Sequence, residues 1–197
     1  MNNHREIFND IYRYNAWGNG SGTGSIYENC KIYMQYLQTF LKHNNIKSVC
    51  DAGCGDWQFS KHMNWEGIEY IGLDVSNIVL ENAKKHTAQN IKFLELNALD
   101  DELPKADLLI MKDVIQHWSN QDIIDFLPKL SDYDYCLITN GFPNESMKSV
   151  NQNIRPGGCR PVDLSKHPFN VNGVYVYWFF ADEFKKTFLI SNKKGLN

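Results

Sequence analysis

Between residues 46 and 140 the chain alternates short apolar runs with helix-patterned stretches. The runs are "KSVCD" (47–51), "EYIGLD" (69–74), "IKFLEL" (91–96), "ADLLIMKD" (106–113) and "YDYCLITN" (133–140). Helices are expected from about 57, over 76–87 and near 120–130. Strands joined by helices run parallel, because a tight hairpin cannot return the chain to the same end of a sheet. Such crossovers are right-handed and build a doubly wound sheet. Two more strands are expected at 174–180 and 186–191, with no helix-length stretch between them, so they are read as antiparallel at the sheet edge. The expected fold is therefore α/β, a doubly wound and mostly parallel seven-stranded sheet.

The first 44 residues read as a helical cap. Helices are expected over 3–15 and 25–43, joined by the glycine-rich loop "WGNGSGTGS" (17–25). In the second helix Ile26, Cys30, Tyr33, Met34, Leu37 and Leu41 follow helical spacing, and Ser25 is the expected N-cap. The core would occupy 45–197, with a long irregular segment over 141–172, and the whole chain would form one domain. At 197 residues it can bury a substantial core.

Composition narrows the function classes. The formal net charge is −3, without the basic excess that phosphate contacts demand of a nucleic-acid binder. No apolar run approaches the roughly 18–20 residues of a membrane span. The opening "MNNHREIFND" has no apolar signal-peptide region, so the expected location is cytoplasmic. Five cysteines with no C-x-x-C suggest neither a disulfide framework nor a zinc site. Cys50 and Cys136 lie in strand-like runs and read as core. His4, His43, His62 and His86 show no ligand spacing and read as surface residues, as do the lysine pairs 84–85, 185–186 and 193–194.

Chemistry concentrates where the first strand ends, in "DAGCGD" (51–56). In a doubly wound sheet, ligands bind at the carboxyl ends of the strands beside strand one. Gly53 and Gly55 permit a tight turn and close approach of a ligand, and the helix expected to follow would favour anionic groups at its N-terminus. Asp74, 21 residues after Gly53, stands at the end of strand two, where an acid can accept both ribose hydroxyls. NAD would favour a third glycine, but Gln58 is there, and Asp51 and Asp56 would repel a pyrophosphate. S-adenosylmethionine (SAM), with a sulfonium and an ammonium, suits the acidic turn better.

On these motifs the chain resembles the class I SAM-dependent methyltransferases, with their Rossmann-like sheet. "VCDAGCG", "IGLDVS", "LNALD" and "LLIMKDVIQHW" match the family's successive motifs over roughly 46–140. "SGTGS", "KDVIQHWSN" and "CRPVDLSKHPFN" further resemble a bacterial subgroup of small-molecule methyltransferases, some of which modify sugars for surface polysaccharides such as capsules. The resemblance implies SAM as cofactor and S-adenosylhomocysteine (SAH) as product. It places Gly53 and Gly55 against the methionine part, Asp51 near the ammonium and Asp74 on the ribose. Asn97 falls where the family often has an acid at the adenine amino group. Ala98 and Leu99 would flank the adenine, and Lys112 and Asp113 would lie near the methyl and methionine ends.

Methyl transfer to a hydroxyl needs alignment and removal of a proton. His117, four residues after Asp113, is the candidate base, with Asp113 orienting it or binding substrate; equally, it reads as a packing histidine beneath the site. Gln116, Trp17 and Arg160 are candidate acceptor contacts. Trp17 with Tyr14 reads either as an aromatic lid or as a dock for the first helix, and Arg160 either as an anion clamp or as a surface partner of Asp163. Asp113 with Asn140 is the rival metal reading, but no dense oxygen cluster accompanies them, and metal independence is expected. The acceptor is read as a small molecule, a sugar or nucleotide-sugar hydroxyl, with no nucleic-acid or membrane partner. The run "VYVYWFF" (174–180) is a candidate homodimer edge. The alternatives are a non-catalytic SAM- or partner-binding module and, behind it, an NAD-dependent oxidoreductase.

Overall fold

The computed structural model describes residues 4–143 and 150–193. Among them, strands β1 (Ser48–Ala52), β2 (Glu69–Asp74), β3 (Ile91–Glu95), β4 (Leu108–Lys112), β5 (Tyr135–Gly141), β6 (Val174–Phe180) and β7 (Phe184–Ser191) form one sheet. Its order is β3-β2-β1-β4-β5-β7-β6. The first five strands are parallel, while β7 lies antiparallel between β5 and β6. The expected fold class is borne out. The strand order reverses between β1 and β4, which opens a crevice at their carboxyl ends.

The alternating pleat distributes the core over both faces. Val49, Leu108 and Ile110 join Tyr33, Leu37 and Leu41 of helix α2 (Tyr27–His43) on one side. Cys50, Leu109 and Met111 join Phe8 of helix α1 (His4–Arg13) and Ile123 and Phe126 of helix α4 (Asn120–Phe126) on the other. Every residue of β4 is buried, as a strand covered on both faces requires. Helix α3 (Asn77–Ala83) supplies Val79, Leu80 and Ala83 to the first layer. Among the described residues no helix is long and apolar enough to cross a membrane.

Several local expectations give way. The helix expected from about 57 is absent, and a short 3-10 turn at Ser60–His62 stands in its place. Trp57 has φ of 61°, and a left-handed tryptophan cannot continue an α-helix. Its indole packs instead against Tyr70 and Phe93. The glycine turn therefore has no helix N-terminus behind it. Ser25 is not the N-cap of α2; Ile26 precedes the first turn, and Ser25 Oγ donates to the Ser21 carbonyl at 3.2 Å. The helix expected over 3–15 is α1, residue 3 lying outside the described residues. The irregular segment expected over 141–172 is described on either side of 144–149, which also lie outside, as does position 194 of the last lysine pair.

Candidate active site

Two connected chambers open at the crevice. The larger has a volume of about 390 Å³ and is walled by the glycine-rich loop, the β1 turn, the end of β4 and the turn between β6 and β7. The smaller, about 70 Å³, lies between α1 and the ends of β2 and β3. Tyr12, Trp17, Gly53, Asp113 and His117 line both.

The β1 turn is built by its glycines. Gly53 and Gly55 have φ of 83° and 56°, conformations a side chain resists. A Cβ on Gly53 would overlap Val114, and one on Gly55 would overlap Ser21 Oγ. The glycine-rich loop thus lies directly on the turn. Ser21 Oγ donates to the Asp56 carboxylate at 2.8 Å and accepts from the Asp56 amide at 3.0 Å. Lys112 reaches the same loop, donating to the Gly24 carbonyl at 2.7 Å.

In the small chamber Asp74 is buried and accepts from the Gly55 and Ser76 amides at 3.1 and 3.0 Å. Burial pushes its carboxyl up to about 6 despite those bonds. Each oxygen keeps acceptor capacity, which fits a pair of hydroxyl donors. Asn97 and Ala98 line the same chamber. The Asn97 amide group is turned to its own loop, donating to Asp100 at 2.6 Å and accepting from the Leu99 amide at 3.2 Å. Asp51, on the large-chamber side, accepts from the Tyr70 hydroxyl; burial raises it also to about 6.

His117 sits between the chambers on a 3-10 turn after β4. Its Nδ1 lies 2.8 Å from the Gly158 carbonyl. A carbonyl only accepts, so Nδ1 carries the proton and Nε2 keeps its lone pair. The Gln116 side-chain amide donates toward that Nε2 at 3.4 Å, while Gln116 Oε1 accepts from the Gly141 amide. Burial depresses the imidazole pKa, against the Gly158 bond and Asp113, and keeps the ring neutral. Trp17 stacks on it with ring centroids 4.5 Å apart. The aromatic partners of Trp17 on α1 are Phe8 and Tyr12; Tyr14 is exposed and forms no lid.

Asp113 does not orient the imidazole; the Gly158 carbonyl does. Both Asp113 oxygens are held by ammonium groups, Lys112 at 2.5 Å and Lys185 at 2.9 Å. Burial opposes the charge, but the two lysines outweigh it and keep the carboxyl below its usual range. Lys185 also meets Asp182 at 3.3 Å and Glu183 at 3.0 Å. It is 1% exposed, the opposite of the solvated charge its sequence suggested. A lysine pair at the start of an apolar strand is the only signal it leaves in the sequence.

Arg160 neither clamps an anion nor pairs with Asp163. It is buried and donates to the Gln152 and Ile115 carbonyls and to Asn120, tying the irregular segment to the turn that carries His117. Burial pushes its guanidinium down to about 10. His4 is likewise interior, 3.1 Å from Asp122. Among the described residues no three His, Cys, Asp or Glu converge as a metal site.

A family model for the O-methyltransferase domain matches residues 19–136. The chain belongs to that family. The resemblance to class I methyltransferases read from its motifs is thereby borne out, and an NAD-dependent oxidoreductase is set aside. The fold of this methyltransferase agrees with solved structures. Magnesium protoporphyrin IX methyltransferase from Synechocystis PCC 6803 with bound SAH matches with a TM-score of 0.66 at 14% identity, over 95% of this chain and 98% of that one. Human N-acetylserotonin methyltransferase in complex with SAM matches at 0.61 and 19%, over 96% of this chain and 59% of the other. The Burkholderia thailandensis 1,6-didemethyltoxoflavin-N1-methyltransferase with SAH matches at 0.62 and 12%, over 94% and 85%. No curated protein matches the sequence.

Proposed function

We propose that this methyltransferase takes a methyl group from SAM and places it on a hydroxyl of a small, polar, sugar-like acceptor, with His117 as general base. The observation that carries the reading is the His117 tautomer: a neutral ring, fixed through Nδ1, with Nε2 unprotonated, on a residue that lines both chambers. SAM, when bound, supplies an electrophilic methyl on a sulfonium. Its fit rests on the lining: Asp74 would accept the ribose hydroxyls, Asn97 and Ala98 would lie beside the adenine, and Gly53 and Gly55 would let the methionine part approach the turn. Asp51 would take the ammonium, and Lys112 holds the glycine-rich loop in place through the Gly24 carbonyl. Trp17 stacks on the imidazole plane, and the Gln116 amide that donates toward Nε2 at 3.4 Å would give up that place to the acceptor hydroxyl. Nε2 would take the acceptor's hydroxyl proton as the methyl carbon exchanges its bond to sulfur for one to the acceptor oxygen, with SAH as the leaving group.

Residues 4–44 act as the cap, and Cys159 of the segment after β5 lines the acceptor side. A metal has no part in this reading, because both Asp113 oxygens are spent on lysines and no three His, Cys, Asp or Glu converge among the described residues. A nucleotide diphosphate gains nothing from this cavity, since Arg160 is committed to interior carbonyls; the sugar ring carries the substrate assignment.

The test is turnover of SAM on a panel of glycosides, with and without EDTA, read by mass spectrometry. The wild-type protein should add a methyl mass that survives EDTA. His117→Ala should lose about 10²-fold or more in kcat while SAM affinity holds. The wild-type kcat/KM should fall on the acid side with a midpoint below the ordinary histidine value of about 6.5. Full turnover by His117→Ala would remove the base.

A further inference from the structure

The turn joining β6 and β7 contributes Asp182 and Glu183 to the large chamber, opposite the β1 turn. It is held there from three sides. Lys185 bonds both carboxylates from below. Thr23 of the glycine-rich loop donates to Asp182 Oδ2 at 2.7 Å. At the end of β5, Gly141 leaves the space Glu183 fills: a Cβ there would lie 2.6 Å from Glu183 Oε1 and 2.7 Å from Oε2. The side chains of Asp182 and Glu183 keep 26% and 44% exposure, so the carboxylates form the rim of the chamber.

The same chamber contains no free cation among the described residues. The Lys112 ammonium is shared between Asp113 and the Gly24 carbonyl. The Lys185 ammonium is shared among Asp113, Asp182 and Glu183. His117 is neutral, and no arginine lines the cavity. Against these two engaged lysines stand four acids, Asp51, Asp113, Asp182 and Glu183. Carboxylates accept hydrogen bonds and donate none. Beyond the backbone amides of the β1 turn, an incoming acceptor therefore meets side chains that favour donors and disfavour negative charge.

We propose that Asp182 and Glu183 are the specificity-determining residues for the acceptor, selecting an uncharged, hydroxyl-rich ring and rejecting its carboxylate- or phosphate-bearing counterpart. The inference rests on the methyl-transfer reading above and names the acceptor class for the same site. Rejection follows from like charges meeting in a partly enclosed space.

The test uses the whole protein loaded with SAH and titrated with matched probes: methyl glucoside and methyl galactoside against the corresponding methyl uronides, which differ by one carboxylate. Dissociation constants are read by calorimetry or saturation-transfer NMR. The neutral member of each pair should bind about tenfold or more tighter. Glu183→Gln and Asp182→Asn should each narrow that ratio while SAH affinity holds. Equal or tighter uronide binding, a ratio unmoved in both variants, or no glycoside binding to SAH-loaded protein would each overturn the proposal. SAH is titrated first; failure of SAH to bind would strike the methyl-transfer reading itself and the selectivity with it.

Discussion

Asp74 is a carboxylate the fold holds at a cost. With its pKa raised to about 6 by burial, the folded protein binds more protons than the unfolded chain between the ordinary aspartate value and 6. Stability therefore falls as pH rises through that window, and the full penalty stands above it. Asp74→Asn removes the charge but leaves one acceptor. At pH 8 the ligand-free variant should be more stable than wild type by on the order of 1 kcal/mol, and the gain should vanish near pH 4. Its SAH affinity should fall about tenfold or more. Urea titrations at the two pH values and calorimetry check both halves; unchanged affinity would sink the ribose assignment. Asp74 was legible in the sequence because its position after a strand is fixed by covalent spacing. Lys185 and Arg160 were not, because their roles depend on which distant segment folds over them, and a charge written in one dimension looks solvated.

At the scale of elements, the glycine-rich loop and the β1 turn behave as one unit. Gly55 is the contact point, with a left-handed backbone and Ser21 Oγ where a side chain would stand. Ser21 cannot yield cheaply, being bonded twice to Asp56. Gly55→Ala should destabilise the protein by about 1–3 kcal/mol and lift the loop. Faster proteolysis within 17–25 and weaker SAH binding are the expected results; an unaltered cleavage rate would separate the loop from the turn. Strand positions were readable from apolar runs to within one or two residues. The missing helix at 57 was not, since the burial of Trp57 between Tyr70 and Phe93 decides its backbone, and both partners lie in other strands.

Across the whole molecule, Lys185 joins parts that are remote in sequence. From β7 it reaches Asp113 after β4 and the turn at 182–183. Removing one member of a buried ion network leaves an uncompensated charge, which costs about 3 kcal/mol or more. Lys185→Met should lose that much in urea denaturation, and Lys185→Met with Asp113→Asn should recover part of it. Additive losses in the double variant would mean that the pair is not coupled. The parallel sheet and its switch point were legible because alternation of strands and helices leaves few topologies. The place of β7 inside the sheet, with β6 outside it, was not, because either hairpin strand could have met β5.

Helix α1 closes the small chamber with ten residues, clasped by His4 to Asp122 and by Arg5 to Glu95. A helix so short does not persist alone in water. Undocking it therefore means melting it, so this wall of the chamber folds and docks in a single event. The opening of that wall then carries the steep thermal response of unfolding, and amide exchange along α1 should quicken with temperature as one cooperative unit.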